Sequence, residues 1–166
     1  MLKAIKLTRD AGQEATLYLG GEFPPGQRLT ENLLALITEL ELSDAVIRLG
    51  HISRAELQAT AERCLVGVFP FDEGFSSKRS SLASICHCEL PLVVGAGSDE
   101  EHPFLAPEQN TAAALSVLLV ELFSGKLEEI WEEQVKAQRL FASHFSFSSI
   151  AQSHLQLYQR LRSIDV

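Results

Sequence analysis

Four short runs of apolar and β-branched residues are spaced along the first hundred residues of the chain. They cover residues 15–20, 45–49, 64–69 and 92–94, and each ends near a glycine or a proline. Runs of this length and composition, bounded by turn-forming residues, are typical of buried β-strands. The pattern therefore predicts four strands that are apolar almost throughout.

Segments in which apolar residues recur with helical spacing separate these strands. They span residues 29–40, 53–63 and 77–88. The middle segment opens with Ser53, and Glu56 follows three residues later, which is the capping-box pattern of a helix start. The predicted order of elements is β-α-β-α-β-α-β.

Strands that are joined by helical crossovers run parallel, and a parallel sheet is covered by helices on both faces. The order therefore predicts an α/β fold with a Rossmann-like, doubly wound parallel sheet. After the fourth strand, a polar loop over residues 98–103 precedes three further helical segments, near residues 111–123, 127–142 and 148–163. These segments predict a helical C-terminal tail.

The size and composition of the chain favour one globular domain over residues 1–166. Hydrophobic residues make up 46% and charged residues 22% of the 166 positions, and this length is close to that of a single domain. The formal net charge of −8 argues against a nucleic-acid partner, because affinity for a polyanion comes mainly from Lys and Arg. Residues 1–6 lack the apolar core of a signal peptide, and no apolar run is long enough to span a membrane. We expect a cytoplasmic protein that is not transmembrane.

The three cysteines, Cys64, Cys86 and Cys88, cannot all pair within the chain, which fits a reducing compartment. The sequence Cys86-His87-Cys88 invites comparison with a metal site. However, three adjacent residues of a helix point in different directions, and the sequence has no second cluster at zinc spacing. Buried thiols are the favoured interpretation, and we expect neither a metal nor a cofactor.

Ligands of open α/β sheets bind beyond the carboxyl ends of the strands. Residues 50–53, 70–77 and 95–98 directly follow predicted strands. The second segment and the helix start after it contain acids, a glycine, hydroxyls and two bases. Backbone N–H groups at a helix N-terminus bind anions, and a carboxylate accepts hydrogen bonds from sugar hydroxyls. A sugar diphosphate is therefore a direct physical fit.

An ordered set of short motifs runs from Gly50 to Val94. It comprises G-H-I-S at 50–53, A-E-L at 55–57, P-F at 70–71, E-G-F-S at 73–76, two bases at 78–79, S-L at 81–82 and L-P-L-V-V at 90–94. In order and spacing this set resembles the donor-binding core of family 4 glycosyltransferases, which have the two-domain GT-B fold. Residues 15–20 and 141–158 are similar to the first strand and the closing helix of the same domain.

The resemblance implies that the chain is the C-terminal, donor-binding half of such an enzyme. Glu73 would contact the donor sugar, and Gly74, Phe75 and Ser76 would offer backbone N–H groups to the sugar or its phosphates. The donor would be a UDP-, GDP- or ADP-sugar, and the transfer would serve polysaccharide or glycoconjugate synthesis. A plainer interpretation remains beside this one, in which Glu73 and Gly74 form only a strand-to-helix turn.

The resemblance also implies that His51, Ile52 and Ser53 lie against the nucleotide base. For the phosphates, we expect a subsite at Ser77, Lys78 and Arg79. Cations in the first turn of a helix oppose its dipole, so an anion held nearby would explain the two bases. The planar fork of Arg79 suits two phosphate oxygens. As plainer alternatives, the side chains of Lys78 and Arg79 are simply solvated, and His51 is structural or merely exposed.

The sequence departs from the family pattern in three ways. Ser81 stands eight residues after Glu73, where the common pattern has a second glutamate, and Glu89 stands where the family usually has glycine. The resemblance also places an acceptor-binding half, and an Arg/Lys pair for the donor phosphates, before the helix that residues 1–11 resemble. Neither lies in this sequence, so we expect no complete catalytic set in this chain. A degenerate, non-catalytic interaction module remains an alternative. A receiver-like signalling domain fits the sequence less well, because such a domain needs paired acids after its first strand and only Glu22 follows that strand here.

Overall fold

The structure is a computed structural model that describes residues 1–76, 82, 85–97, 101–126, 128–144 and 147–162. The four predicted strands and the predicted helices between the first three of them are confirmed. The elements are α1 (Leu2–Asp10), β1 (Leu17–Gly20), α2 (Arg28–Glu39), β2 (Val46–Gly50), α3 (Arg54–Ala61), β3 (Gly67–Phe69), β4 (Leu92–Val94), α4 (Ala112–Phe123), α5 (Glu128–His144) and α6 (Phe147–Arg162).

The strands run parallel, as the crossover argument requires. β1 pairs with β2, so that Leu17 lies opposite Val46, and β3 pairs with β4, so that Gly67 lies opposite Leu92. Across the described residues these hydrogen bonds form two parallel pairs rather than one continuous ladder. The α/β class is confirmed, and the helices α4 to α6 form the expected helical tail.

Hydrophobic cores lie on both faces of the β3–β4 pair. Alternation along β4 directs Val93 into one core, and Leu92 and Val94 into the other. The Val93 core is built from α1, α2 and α4, whereas the opposite core takes residues from α3 and α5. This two-sided cover explains why β4 is apolar at every position, and it is the arrangement of a doubly wound sheet.

The start of α3 has the predicted capping box, and α4 also begins with a side-chain cap. The Ser53 hydroxyl accepts a hydrogen bond from the backbone N–H of Glu56, and the Glu56 carboxylate accepts one from the backbone N–H of Ser53. At the start of α4, the hydroxyl of Thr111 accepts from the N–H of Ala114 at 3.1 Å. Each cap satisfies backbone groups that the first helical turn leaves without an intrahelical partner.

The third strand is shorter than expected. It begins at Gly67 instead of Cys64, because the N–H of Cys64 bonds to the carbonyl of Ala61 and continues the turn after α3. In the expected helix over residues 77–88, residues 77–81, 83 and 84 lie outside the described part of the chain. Its end, Cys86–Cys88, is a 3-10 helix instead of an α-helix.

A short parallel contact follows the loop after β4. The N–H of Leu105 donates to the carbonyl of Leu92 at 2.9 Å, and the N–H of Val94 donates to the carbonyl of Leu105 at 2.8 Å. From the sequence, only a polar loop and helices were expected in this region. No described helix is both long enough and apolar enough to span a membrane.

Candidate functional site

A hydrogen bond joins the residue just after β1 to the last residue of β2. The N–H of Gly21 donates to the carbonyl of Gly50 at 3.2 Å. Gly50 has a φ of +70°, a left-handed conformation that glycine adopts without the steric cost of a side chain. The backbone therefore turns sharply at the point where residues 51–53 begin.

In the proposed base-binding segment, His51 is exposed and Ile52 is half-buried. The exposed Ser53 has local partners for its polar groups, since its N–H donates to the Glu56 carboxylate at 2.7 Å and its hydroxyl accepts from the Glu56 N–H at 3.3 Å. The pKa of Glu56 is lowered mainly by the hydrogen bond from the Ser53 backbone, and to a smaller extent by a hydrogen bond from the Ser53 side chain. Ser53 is thus a helix cap in this structure.

A tight turn follows β3 and presents the proposed sugar-binding acid. The N–H of Phe71 donates to the carbonyl of Phe69 at 2.8 Å, and the N–H of Gly74 donates to the carbonyl of Phe71 at 3.1 Å. Gly74 is buried with a φ of +74°, whereas Glu73 is exposed at the tip. Ser76 is half-buried, and Ser77, Lys78 and Arg79 lie outside the described residues. We call residues 70–76 the Glu73 loop.

The side chain of Phe75 anchors this loop in the core. It is 4% exposed, and its ring centroid lies 5.0 Å from that of His102, 5.2 Å from that of Phe104 and 5.4 Å from that of Phe141. Burial lowers the pKa of His102. Because the Phe75 ring is enclosed by other rings, its side chain is directed into the core.

The loop after β4 is held against the Glu73 loop by Asn110. The Asn110 side-chain oxygen accepts from the N–H of Ala96 at 2.6 Å, and its amide nitrogen donates to the carbonyls of Asp72 and Ala96, each at 2.9 Å. The N–H of Gly95 adds a bond to the carbonyl of Phe69 at 3.1 Å. Two of the three predicted ligand-binding loops are therefore physically joined.

A cavity of about 130 Å³ opens beside this junction, and its wall includes Pro70, Asp72, Gly95, Asn110 and Thr111. Pockets that enclose a drug-sized ligand usually measure about 300–1,000 Å³. The cavity is large enough for a fragment of a nucleotide sugar, and the remainder of such a ligand would need further walls.

Cys86 and Cys88 are buried, as the sequence analysis favoured. Burial, together with the neighbouring Cys88, raises the pKa of the Cys86 thiol to about 12, and burial raises the pKa of Cys88. Thiols in this environment stay protonated and are poor metal ligands or nucleophiles. Within the described part of the chain, no group of three or more His, Cys, Asp or Glu residues is placed to hold a metal ion.

Neither Asn110 nor the ring cluster around Phe75 was predicted from the sequence. Asn110 precedes α4 and has a side chain typical of helix starts, which is a weak local signal. Its actual partners lie 14 and 38 residues away. Contacts at that separation leave no periodic signal in one sequence.

Solved structures with a similar fold include glycosyltransferases. A glycosyltransferase from Rickettsia africae superposes with a TM-score of 0.75 at 14% identity, over 96% of this chain and 43% of that protein. A sucrose-phosphate synthase from Thermosynechococcus elongatus also gives 0.75, at 18% identity, over 98% and 42%. Anabaena HepE in complex with UDP and glucose gives 0.68 at 17% identity, over 98% and 44%.

The chain has the Rossmann-like fold found in these glycosyltransferases. It spans less than half the length of each of these three proteins. HepE has also been solved with UDP-glucose and with UDP alone, and those structures match this chain with TM-scores of 0.67 and 0.70. No family model matches the sequence, and no curated protein matches it.

Proposed function

We propose that this chain is the donor-binding domain of a GT-B glycosyltransferase of the family 4 type. It binds a nucleoside diphosphate sugar beyond the carboxyl ends of its strands, for transfer of the sugar to an acceptor in polysaccharide or glycoconjugate synthesis. The observation that carries this proposal is the junction of the Glu73 loop with the loop after β4, which presents an acid and backbone groups at the edge where α/β folds bind ligands.

The exposed position of Glu73 supports a sugar contact. Its carboxylate lies at the tip of a turn that is fixed by a backbone hydrogen bond and by the buried Phe75 ring. A carboxylate is a strong acceptor for sugar hydroxyls, and a rigid support reduces the entropy lost on binding. The UDP and UDP-glucose bound in the structures of HepE agree with this class of ligand.

The small size of the cavity supports an incomplete site. A cavity of about 130 Å³ cannot enclose a whole nucleotide sugar, and the glycosyltransferases of similar fold are more than twice as long as the part that this chain matches. Transition-state stabilisation needs groups that converge on the reacting carbon from both sides. We propose that a separate acceptor domain completes the site and that this chain alone transfers no sugar.

Isothermal titration with UDP-, GDP- and ADP-glucose tests the proposal. We expect saturable but weak binding of at least one of them, because this chain alone lacks the contacts of the proposed acceptor domain, each worth about 1.5–3 kcal/mol where a charge is involved. The matching nucleoside monophosphate is the control and should bind more weakly. Absence of saturable binding for all three would instead favour a degenerate, non-catalytic interaction module.

A further inference from the structure

We propose that Asn110 is a positioning residue for the donor sugar. Its side chain fixes the Glu73 loop to the loop after β4, so that Glu73 is held where it can meet the sugar. This inference rests on the proposed function, and it assigns a role to a residue outside the sequence motifs.

Asn110 makes three hydrogen bonds to backbone atoms of two separate loops. The bond from Asn110 Nδ2 to the carbonyl of Asp72 holds the residue that directly precedes Glu73. The bonds with the N–H and the carbonyl of Ala96 hold the loop after β4. One exposed side chain therefore bridges the loops at a point next to the proposed sugar-binding carboxylate.

Gly95 makes this close approach possible. A Cβ atom at this position would lie 1.9 Å from the carbonyl oxygen of Phe71 and 3.0 Å from the side-chain oxygen of Asn110. The first distance is far inside van der Waals contact, so the backbones of the two loops meet only because residue 95 has no side chain. Gly95 and Asn110 thus form one joint, in which Gly95 provides the space and Asn110 provides the bonds.

Only an asparagine-like side chain of this length satisfies all three partners. Its carboxamide oxygen accepts from an N–H, while its amide nitrogen has two hydrogens for two carbonyls. An aspartate at this position would keep the acceptor, lose both donors and bring a negative charge towards the carbonyls of Asp72 and Ala96. Substitution by Asp should therefore disturb the joint at least as much as substitution by Ala.

The expected consequence is a loss of sugar recognition that exceeds the loss of nucleotide binding. Residues 51–53, the proposed base-binding segment, follow β2 and make no hydrogen bond with Asn110 in the described part of the chain. Loosening the joint releases Glu73 but leaves that segment in place. Small displacements of a positioned group have large effects on its interactions.

The test compares the parent chain with Asn110→Ala, Asn110→Asp and the control Asn32→Ala, which changes an exposed asparagine on α2. The first readout is hydrogen exchange of the Ala96 amide by NMR. The second is the ratio of the Kd for UDP to the Kd for UDP-glucose, which a purely structural role would leave unchanged. Thermal denaturation verifies that each variant folds, and the two substitutions give two opportunities to obtain a folded variant.

We expect Ala96 exchange to become about five- to tenfold faster in Asn110→Ala, the order given by loss of one hydrogen bond, and to change less in Asn110→Asp, which keeps an acceptor for this N–H. The preference for UDP-glucose over UDP should fall by a similar factor, and Asn32→Ala should match the parent. Unchanged exchange in folded Asn110→Ala, or an unchanged preference for UDP-glucose over UDP in either folded variant, overturns the inference. If the parent binds neither UDP nor UDP-glucose, the same comparison is made with the GDP and ADP pairs. If it binds none of the three pairs, the proposed function fails and the sugar-positioning role fails with it, while the exchange result still reports whether Asn110 joins the loops.

Discussion

The carboxylate of Glu89 lies 2.6 Å from the guanidinium of Arg139, and this ion pair joins the turn before β4 to α5. Glu89 has a φ of +55°, in the left-handed region. This geometry explains why the glycosyltransferase pattern usually has glycine here, since a side chain in this conformation costs about 1–2 kcal/mol. Both side chains of this ion pair are exposed, so the pair offsets only about 0–1 kcal/mol of that cost.

Replacing Glu89 by Gly should therefore stabilise the fold. We expect the free energy of unfolding, measured by urea denaturation, to rise by about 0.5–1 kcal/mol, because the relieved backbone strain exceeds the lost ion pair. Arg139→Ala should lower it by less than about 1 kcal/mol. Glu41 is a matched control, with a φ of +56° just after α2, and Glu41→Gly should also stabilise. A loss of stability in Glu89→Gly would mean that the ion pair outweighs the strain.

Gln138 is a buried polar side chain that ties α5 to the start of β4. It is 1% exposed. When the amide is oriented so that both its nitrogen and its oxygen have partners, the nitrogen donates to the carbonyl of Leu90 at 2.8 Å and the oxygen accepts from the N–H of Leu92 at 3.1 Å. Gln138→Leu should lower the free energy of unfolding by about 2–3 kcal/mol, since two buried backbone groups lose their partners.

The matched control for that prediction is Gln134→Leu, one turn earlier on α5. The buried side-chain oxygen of Gln134 has no hydrogen-bond partner among the described residues. Removing an unsatisfied buried oxygen should leave stability unchanged or raise it. Equal losses in both variants, measured by urea denaturation, would show that packing volume rather than hydrogen bonding decides the effect.

The capping box at α3 predicts a dependence of stability on pH. Hydrogen bonds from Ser53 lower the pKa of Glu56 in the folded chain, so the carboxylate contributes stability above the unfolded value of about 4.3, and this contribution is lost as pH falls through the folded pKa. Urea denaturation at pH 7 and pH 3 should show a smaller decrease for Glu56→Gln than for the parent. Ser53→Ala should cost about 1 kcal/mol at pH 7. Identical pH dependence in parent and Glu56→Gln would refute the assigned role.

Substitutions at the proposed donor site separate the sugar contact from the phosphate contact. Glu73→Gln should weaken UDP-glucose more than UDP, because its proposed partner is the sugar. Arg79→Ala should weaken both ligands by about 1–3 kcal/mol, the size of charge-assisted hydrogen bonds, and Lys78→Ala should have the smaller effect. Titration calorimetry gives each Kd. If neither Lys78→Ala nor Arg79→Ala changes the Kd of either ligand, the phosphates bind elsewhere, and the loop after β4 is the first alternative.

The regular elements were predictable where local chemistry decides them. Leu92–Val94 was predicted at its observed bounds, because a fully apolar run stands between Pro91 and a glycine. The start of α3 followed from Ser53 and Glu56, whose interaction is local. The start of β3 was predicted three residues early, since Cys64 and Leu65 are as apolar as a strand and only the hydrogen bond from Cys64 to Ala61 places the turn.

The candidate site was predictable only as a set of loops. The order of strands and crossovers indicates which segments reach the ligand-binding edge, and residues 70–76 were among them. The bonds that join these loops were not predictable, because Asn110 and Asp72 are 38 residues apart. The inward position of the Phe75 ring likewise depends on His102 and Phe104, in a segment with no periodic pattern.

The central claim is that the carboxyl ends of these strands bind a nucleotide sugar, and an NMR titration of the isotope-labelled chain with UDP-glucose tests it most directly. We predict saturable shifts clustered at residues 50–53, 73–79 and 95–98, with amides on the opposite, open surface around Arg9 and Asp44 serving as the internal reference. Saturable shifts centred on that opposite surface, or no saturable shifts with UDP-, GDP- or ADP-sugars, would contradict the claim.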